Sequence, residues 1–148
     1  MTDPLDEQLM RQALREAEQA FKQDEVPIGA VVAWKGQVIA RAHNLTERLN
    51  DVTAHAEMQV ITAAAERIGG KYLKDCTVYV TVEPCPMCAG ALAWAQTGRI
   101  VFGAFDEKSG YRRIGGKLLH PKTQVTGGVL EPECADLMKA FFRKKRAL

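Results

Sequence analysis

Two short segments constrain this chain more than anything else in it: Thr53-Ala54-His55-Ala56-Glu57 and Glu83-Pro84-Cys85-Pro86-Met87-Cys88. Each follows a loop or strand pattern and opens an apolar run, so each marks the start of a helix. Cys85 and Cys88 are three apart, which puts both sulfurs on one face of a single turn. A helix N-terminus favours the thiolate, the form of cysteine that binds metal. His55 can supply a third ligand if the two helix starts meet. The fold must therefore bring two helix N-termini together across a sheet.

The rest of the pattern allows this. Asp3-Pro4 reads as an N-cap with proline at the first helical position, and Leu9, Ala13, Leu14, Ala17, Ala20 and Phe21 predict an amphipathic helix over 4–22. Ile28 to Trp34 and Gln37 to His43 read as a hairpin turning at Lys35-Gly36. A loop follows from Asn44 to Asp51. Thr53 is expected to cap a second helix running to Ile68, stopped by Gly69-Gly70. Residues 77–82 read as a strand, Met87 to Ala95 as a helix, and 99–104 as a buried parallel strand. Residues 105–123 show no clear period. A short strand near 124–126 and a helix from about Glu131 follow, with Cys134, Leu137, Met138, Phe141 and Phe142 on or near its apolar face. This order predicts an α/β fold, three layers (α-β-α) around a central mixed five-stranded sheet. The 148 residues fit a single domain, 1–148, without a repeat or linker.

Hydrophobic residues at 47% and charged residues at 26% are ordinary globular composition. No apolar run approaches the roughly 20 residues that span a bilayer, so no membrane partner is expected. The acidic, amphipathic start does not read as a signal peptide, which makes a cytoplasmic protein the default. There, four cysteines are metal ligands or buried thiols rather than disulfides. The net charge of +2 hides an asymmetry: residues 1–97 carry 9 Lys+Arg against 13 Asp+Glu, and residues 98–148 carry 11 against 5. A basic end closing on Arg143, Lys144, Lys145 and Arg146 suits a polyanion such as RNA; the plainer reading is a solvated helix C-terminus.

Ligand number separates structural from catalytic metal sites. A structural zinc takes four protein ligands, a catalytic one three and a water. His55, Cys85 and Cys88 come without a matching fourth, and Glu57 stands two residues beyond His55, placed to reach a water rather than the metal. Cys76, His43 or His120 would have to complete a structural site. Cys76 and Cys134 read more simply as buried small hydrophobes, and His43 and His120 as structural or surface histidines. A redox pair at Cys85 and Cys88 would need neither the H-x-E motif nor Pro84 and Pro86.

H-A-E followed some thirty residues later by P-C-P-M-C resembles the signature of the cytidine deaminase superfamily. The likeness extends from Glu25-Val26-Pro27-Ile28-Gly29-Ala30-Val31 through Ala42-His43-Asn44 to Glu133-Cys134-Ala135 and Phe141-Phe142, and is closest to the tRNA-acting bacterial branch. It implies one Zn²⁺ on His55, Cys85 and Cys88, proton transfer by Glu57, and hydrolytic deamination of wobble adenosine to inosine in a tRNA anticodon stem-loop. It also implies substrate contacts at Asn44 (the base), Asp106 (near the ribose) and Phe142 (the anticodon loop). Asn44 has a second reading as a loop asparagine completing a turn, while Asp106 reads equally as a turn residue and Phe142 as a core aromatic. Ser109 to Gly116 departs from the family pattern, leaving the substrate-side loop outside what the resemblance carries.

Two other functions fit the same residues. A free-base or nucleoside deaminase, acting on guanine or cytosine, would not need the basic C-terminal third. A non-catalytic, zinc-stabilised RNA-binding module would not need Glu57. Finally, Met87 to Ala95 is apolar nearly all round, which predicts burial on a second side, either in a homodimer or under residues 105–123.

Overall fold

The computed structural model describes residues 3–147, so the ends of the expected 1–148 span lie outside the described residues. Four helices, α1 (Pro4–Lys22), α2 (Ala56–Ile68), α3 (Pro86–Trp94) and α4 (Glu131–Arg146), surround five strands. The strands are β1 (Gly29–Trp34), β2 (Gln37–His43), β3 (Cys76–Val82), β4 (Arg99–Ala104) and β5 (Gln124–Gly127). They form one mixed sheet in the order β2-β1-β3-β4-β5. The β1–β2 and β1–β3 pairs are antiparallel, and β3–β4 and β4–β5 are parallel. The expected three-layer architecture is present.

Alternation along the strands divides the core. Ala30, Val32, Val78, Val80, Ile100 and Phe102 pack with Val60 and Ala64 of α2 and Leu92 of α3. Val31, Ala33, Tyr79 and Val101 face Leu9, Met10, Ala13 and Leu14 of α1 and Cys134 of α4. Each fully buried aliphatic side chain here contributes about 1.5–3 kcal/mol. Helix α1 lies so close to β1 that a Cβ on Gly29 would sit 2.2 Å from the Ala13 carbonyl oxygen. That approach needs glycine.

Expected and observed boundaries differ at α2. Thr53 does not cap this helix; its amide and hydroxyl both donate to Asp51 Oδ1, at 2.8 and 2.7 Å. His55 occupies the N-cap position with extended backbone and no side-chain cap bond of its own. The orphan amide of Ala56 is satisfied instead by Asn44 Oδ1 at 2.7 Å. The cap comes from across the loop, which frees the His55 ring for other work. The unperiodic stretch 105–123 contains a 3-10 turn over Tyr111–Ile114.

Buried charge ties α1 to the sheet. Arg99 of β4 donates through both terminal nitrogens to Asp6, at 2.8 and 2.7 Å, and the Tyr79 hydroxyl donates to Asp6 Oδ1 at 2.7 Å. The Arg99 bond holds the Asp6 carboxyl below its ordinary value near 3.8, against the opposing effect of burial, with Tyr79 helping. A depressed folded-state pKa gives stability that is complete above the unfolded value and lost as pH falls through the folded one. Asp6→Asn should therefore lower stability by about 3 kcal/mol near neutrality. The Tm gap to wild type should narrow below about pH 4, which thermal melts across an acid series will check.

Candidate active site

The parallel arrangement of β3 and β4 sends the chain out of the sheet's C-terminal edge at Val82, through Glu83-Pro84, into Cys85. Cys85 is the extended N-cap of α3, and Pro86 takes the first helical position, where its missing N–H costs nothing. On the same edge α2 begins at His55. Buried Glu25 holds the loop leading there, accepting from the amides of Glu47 and Arg48 at 3.0 and 2.8 Å. Two helix N-termini thus converge.

The three ligating atoms meet at this point. His55 Nδ1 lies 3.7 Å from Cys85 Sγ and 3.5 Å from Cys88 Sγ, and all three atoms lie within 4.8 Å of one another. Tetrahedral ligands of one zinc, at about 2.0 and 2.3 Å from it, would stand about 3.6 Å apart. Among the described residues, no other His, Cys, Asp or Glu joins this group. Cys76 and Cys134 are buried elsewhere as free thiols. His43 bonds Glu16 and Gln23 at 3.1 Å each, and His120 Nδ1 accepts from the Lys122 amide. The group can hold a metal through three protein ligands.

Charge at the site is poised for that. Hydrogen bonding from Cys88, then from His55, pulls the Cys85 thiol down to about 4 despite burial. Cys88 moves up, because it shares its proton with Cys85 and is buried. The bond to Cys85 raises the His55 pKa against the opposing effect of burial. Glu57, on the first turn of α2, is buried, and burial pushes its carboxyl up to about 7. Its Oε1 has no hydrogen-bond partner. A buried carboxylate oxygen without a protein partner, beside three side chains able to hold a metal, is a candidate functional group.

These groups open into a cleft of about 870 Å³, within the range of ligand sites. Of the expected substrate contacts, Asp106 and Phe142 line it, whereas buried Asn44 is not among its lining residues and has its oxygen committed to the Ala56 amide. Phe142 is not a core aromatic: it is 42% exposed, edge-on to buried Phe141 at 5.3 Å. Asp106 does serve its turn, accepting from the Lys108 and Ser109 amides at 3.1 and 2.9 Å, while facing the cleft.

The basic end divides in two. Arg143 and Arg146 line the cleft with Lys139 and Lys108. Lys145 pairs instead with Asp24 at 2.6 Å, and Lys144 lies over the Phe21 ring at 5.4 Å. Sequence reasoning also passed over Glu83 and Phe105, which line the cleft too. A carboxylate directly after six apolar or β-branched strand residues was the available signal for Glu83.

Known proteins resemble this chain over nearly its whole length. Residues 5–146 match the family model of the MafB19-like deaminases. The chain is 47% identical over 146 residues to the tRNA-specific adenosine deaminase of Bacillus subtilis, covering 95% of this chain and 91% of that one. It is 46% identical over 142 residues to that of Agrobacterium fabrum, covering 93% of each. A solved structure from work on A-to-I editing by tRNA:A34 deaminases matches with a TM-score of 0.82 and 44% identity, over 88% of this chain and 98% of that one. Fold and site together define a deaminase of the cytidine deaminase-like class. Within that class the chain belongs to the family of the tRNA-specific adenosine deaminases.

The ligand set predicts that Cys88→Ala purifies with little bound metal, while Cys134→Ala keeps one ion per chain. Elemental analysis separates the two, and stoichiometric metal in Cys88→Ala would rule the set out.

Proposed function

We propose that this chain hydrolytically deaminates adenosine to inosine at the wobble position of a tRNA anticodon loop, with one Zn²⁺ held by His55, Cys85 and Cys88. The observation that carries the reading is buried Glu57, its Oε1 without a protein partner, beside a group of three possible metal ligands in a cleft rimmed by cations. Zinc bound there would supply a water whose pKa is lowered toward neutrality. Glu57 does the proton work: with its pKa raised to about 7, it can both accept and return a proton at neutral pH. It would take one proton from that water and give it to N1 of the adenine ring, then take the second from the hydroxyl added at C6 and give it to the departing amine, ending as it began. A non-catalytic binding module has no use for that group.

Asn44 has its oxygen taken by the Ala56 amide, which leaves its Nδ2 as the group to offer a flipped base. Recognition in this class takes an unstacked loop base into a small pocket, and a basic rim then holds the flanking backbone. Lys108, Lys139, Arg143 and Arg146 form that rim, which favours RNA over a free base. Asp106 would face the ribose and Phe142 the neighbouring nucleotides. Among the described residues no helix is long and apolar enough to cross a membrane, and we place the reaction in the cytoplasm, where tRNA and reduced cysteines coexist.

The working form is proposed to be a homodimer. On α3, Trp94 is 86% exposed and Met87 38%; residues 105–123 leave both uncovered. Trp94→Glu should convert the dimer to a monomer in sedimentation at micromolar concentration, and a monomeric wild type would refute this assembly.

Glu57→Ala should retain zinc and bind stem-loop RNA nearly normally while single-turnover deamination falls at least about 10²–10⁴-fold. A near wild-type rate would remove the enzymatic reading. Arg143→Gln with Arg146→Gln should weaken RNA binding and flatten its salt dependence by up to about two in slope. Lys144→Gln with Lys145→Gln should do neither, and filter binding across a salt series tests the pair.

A further inference from the structure

The Glu83 side chain is fully buried, one residue before Pro84-Cys85. Everything it bonds lies on one loop. Its Oε1 accepts from the Asp106 amide at 3.0 Å and from Arg112 Nη2 at 3.0 Å, and its Oε2 accepts from the Arg112 amide at 3.1 Å. Beside it, the Tyr111 amide donates to the Pro84 carbonyl at 2.8 Å. The loop is pressed onto the carboxylate so closely that a Cβ on Gly110 would stand 2.2 Å from Oε2. Only glycine admits that contact.

Arg112 does a second thing. Its guanidinium lies over the Phe105 ring, 4.6 Å from the centroid, and Phe105 meets Phe102 edge-on at 5.0 Å. Phe105, Asp106, Lys108 and Ser109 all line the cleft. One buried carboxylate thus grips both ends of the segment that forms the substrate-side wall, and one arginine braces its aromatic residue. The Arg112–Glu107 contact at 3.8 Å, with Glu107 89% exposed, adds little.

We infer that Glu83 and Arg112 are positioning residues that set the shape of the 105–112 wall and so govern capture of RNA, without acting on the metal or on the protons. The inference rests on the functional reading above. It assigns a task to the stretch whose sequence showed no period: beyond one 3-10 turn, the loop is folded around the buried Glu83 carboxylate, which half-exposed Arg112 clasps from the solvent side. A planar guanidinium can serve the carboxylate and the ring together, while lysine serves the carboxylate alone.

The test compares Arg112→Ala, Arg112→Lys and wild type on an anticodon stem-loop, with zinc content and amide hydrogen exchange measured on the same samples. Arg112→Ala should keep full zinc and a kcat within about twofold while KM rises about tenfold, the size of one charge-assisted hydrogen bond. Amides at positions 106 and 112 should exchange faster without RNA present. Arg112→Lys should recover most of the KM. Glu83→Gln, which turns an amide donor toward the guanidinium, should repeat the KM effect, and combining it with Arg112→Ala should add little. Unchanged KM in Arg112→Ala, unchanged exchange at 106 and 112, or a joint loss of zinc and kcat would each overturn the inference. If the wild-type chain turns over no stem-loop, the functional reading fails instead, and exchange alone then decides whether the pair holds the loop.

Discussion

The architecture depends on the convergence of two helix N-termini on one edge of the sheet. Each brings unsatisfied amides and the positive end of a helix dipole, and placing two together is costly without negative charge between them. The thiolate-forming cysteines supply that charge at α3. At α2, where His55 has no capping side chain to give, Asn44 reaches across from the end of β2 to bond the Ala56 amide. The arrangement explains why the hairpin matters to the chemistry: β2 ends where the cap must begin.

Four buried carboxylates show how differently the same group is used. Glu25 is satisfied by loop amides, Asp6 by an arginine and a tyrosine, and Glu83 by loop amides and an arginine. For Glu83, burial alone would raise the pKa, and bonds from Arg112 and two backbone amides hold it low. Glu57 alone retains an empty acceptor, and its pKa rises. A satisfied carboxylate shapes the protein; the one with a free oxygen is the one we propose for proton transfer.

Much of this was legible in the sequence, for physical reasons. The strands followed from short apolar, β-rich runs, α1 from a helical period behind a proline-marked N-terminus, and the metal group from ligand type and spacing. The α2 cap was misread because local rules favour Thr53, whereas the real cap is Asn44, some twelve residues away in sequence. The substrate wall was illegible because nothing periodic encodes it; Glu83 and Arg112 are 29 residues apart, and their pairing exists only once β3 and β4 lie side by side. The four C-terminal cations could be counted but not sorted.

That sorting makes helical phase a carrier of information. The run Phe142-Arg143-Lys144-Lys145-Arg146 looks like an undivided basic tail, yet one face of α4 opens on the cleft and another leans on α1. One residue inserted between Cys134 and Leu137 would turn everything beyond it by about 100°. The cleft would then receive Phe141, Phe142 and Lys145 where it now has Phe142, Arg143 and Arg146. Net charge, composition and helix content would scarcely change. The chain would remain basic by every bulk measure and yet present the wrong side of itself to the nucleic acid.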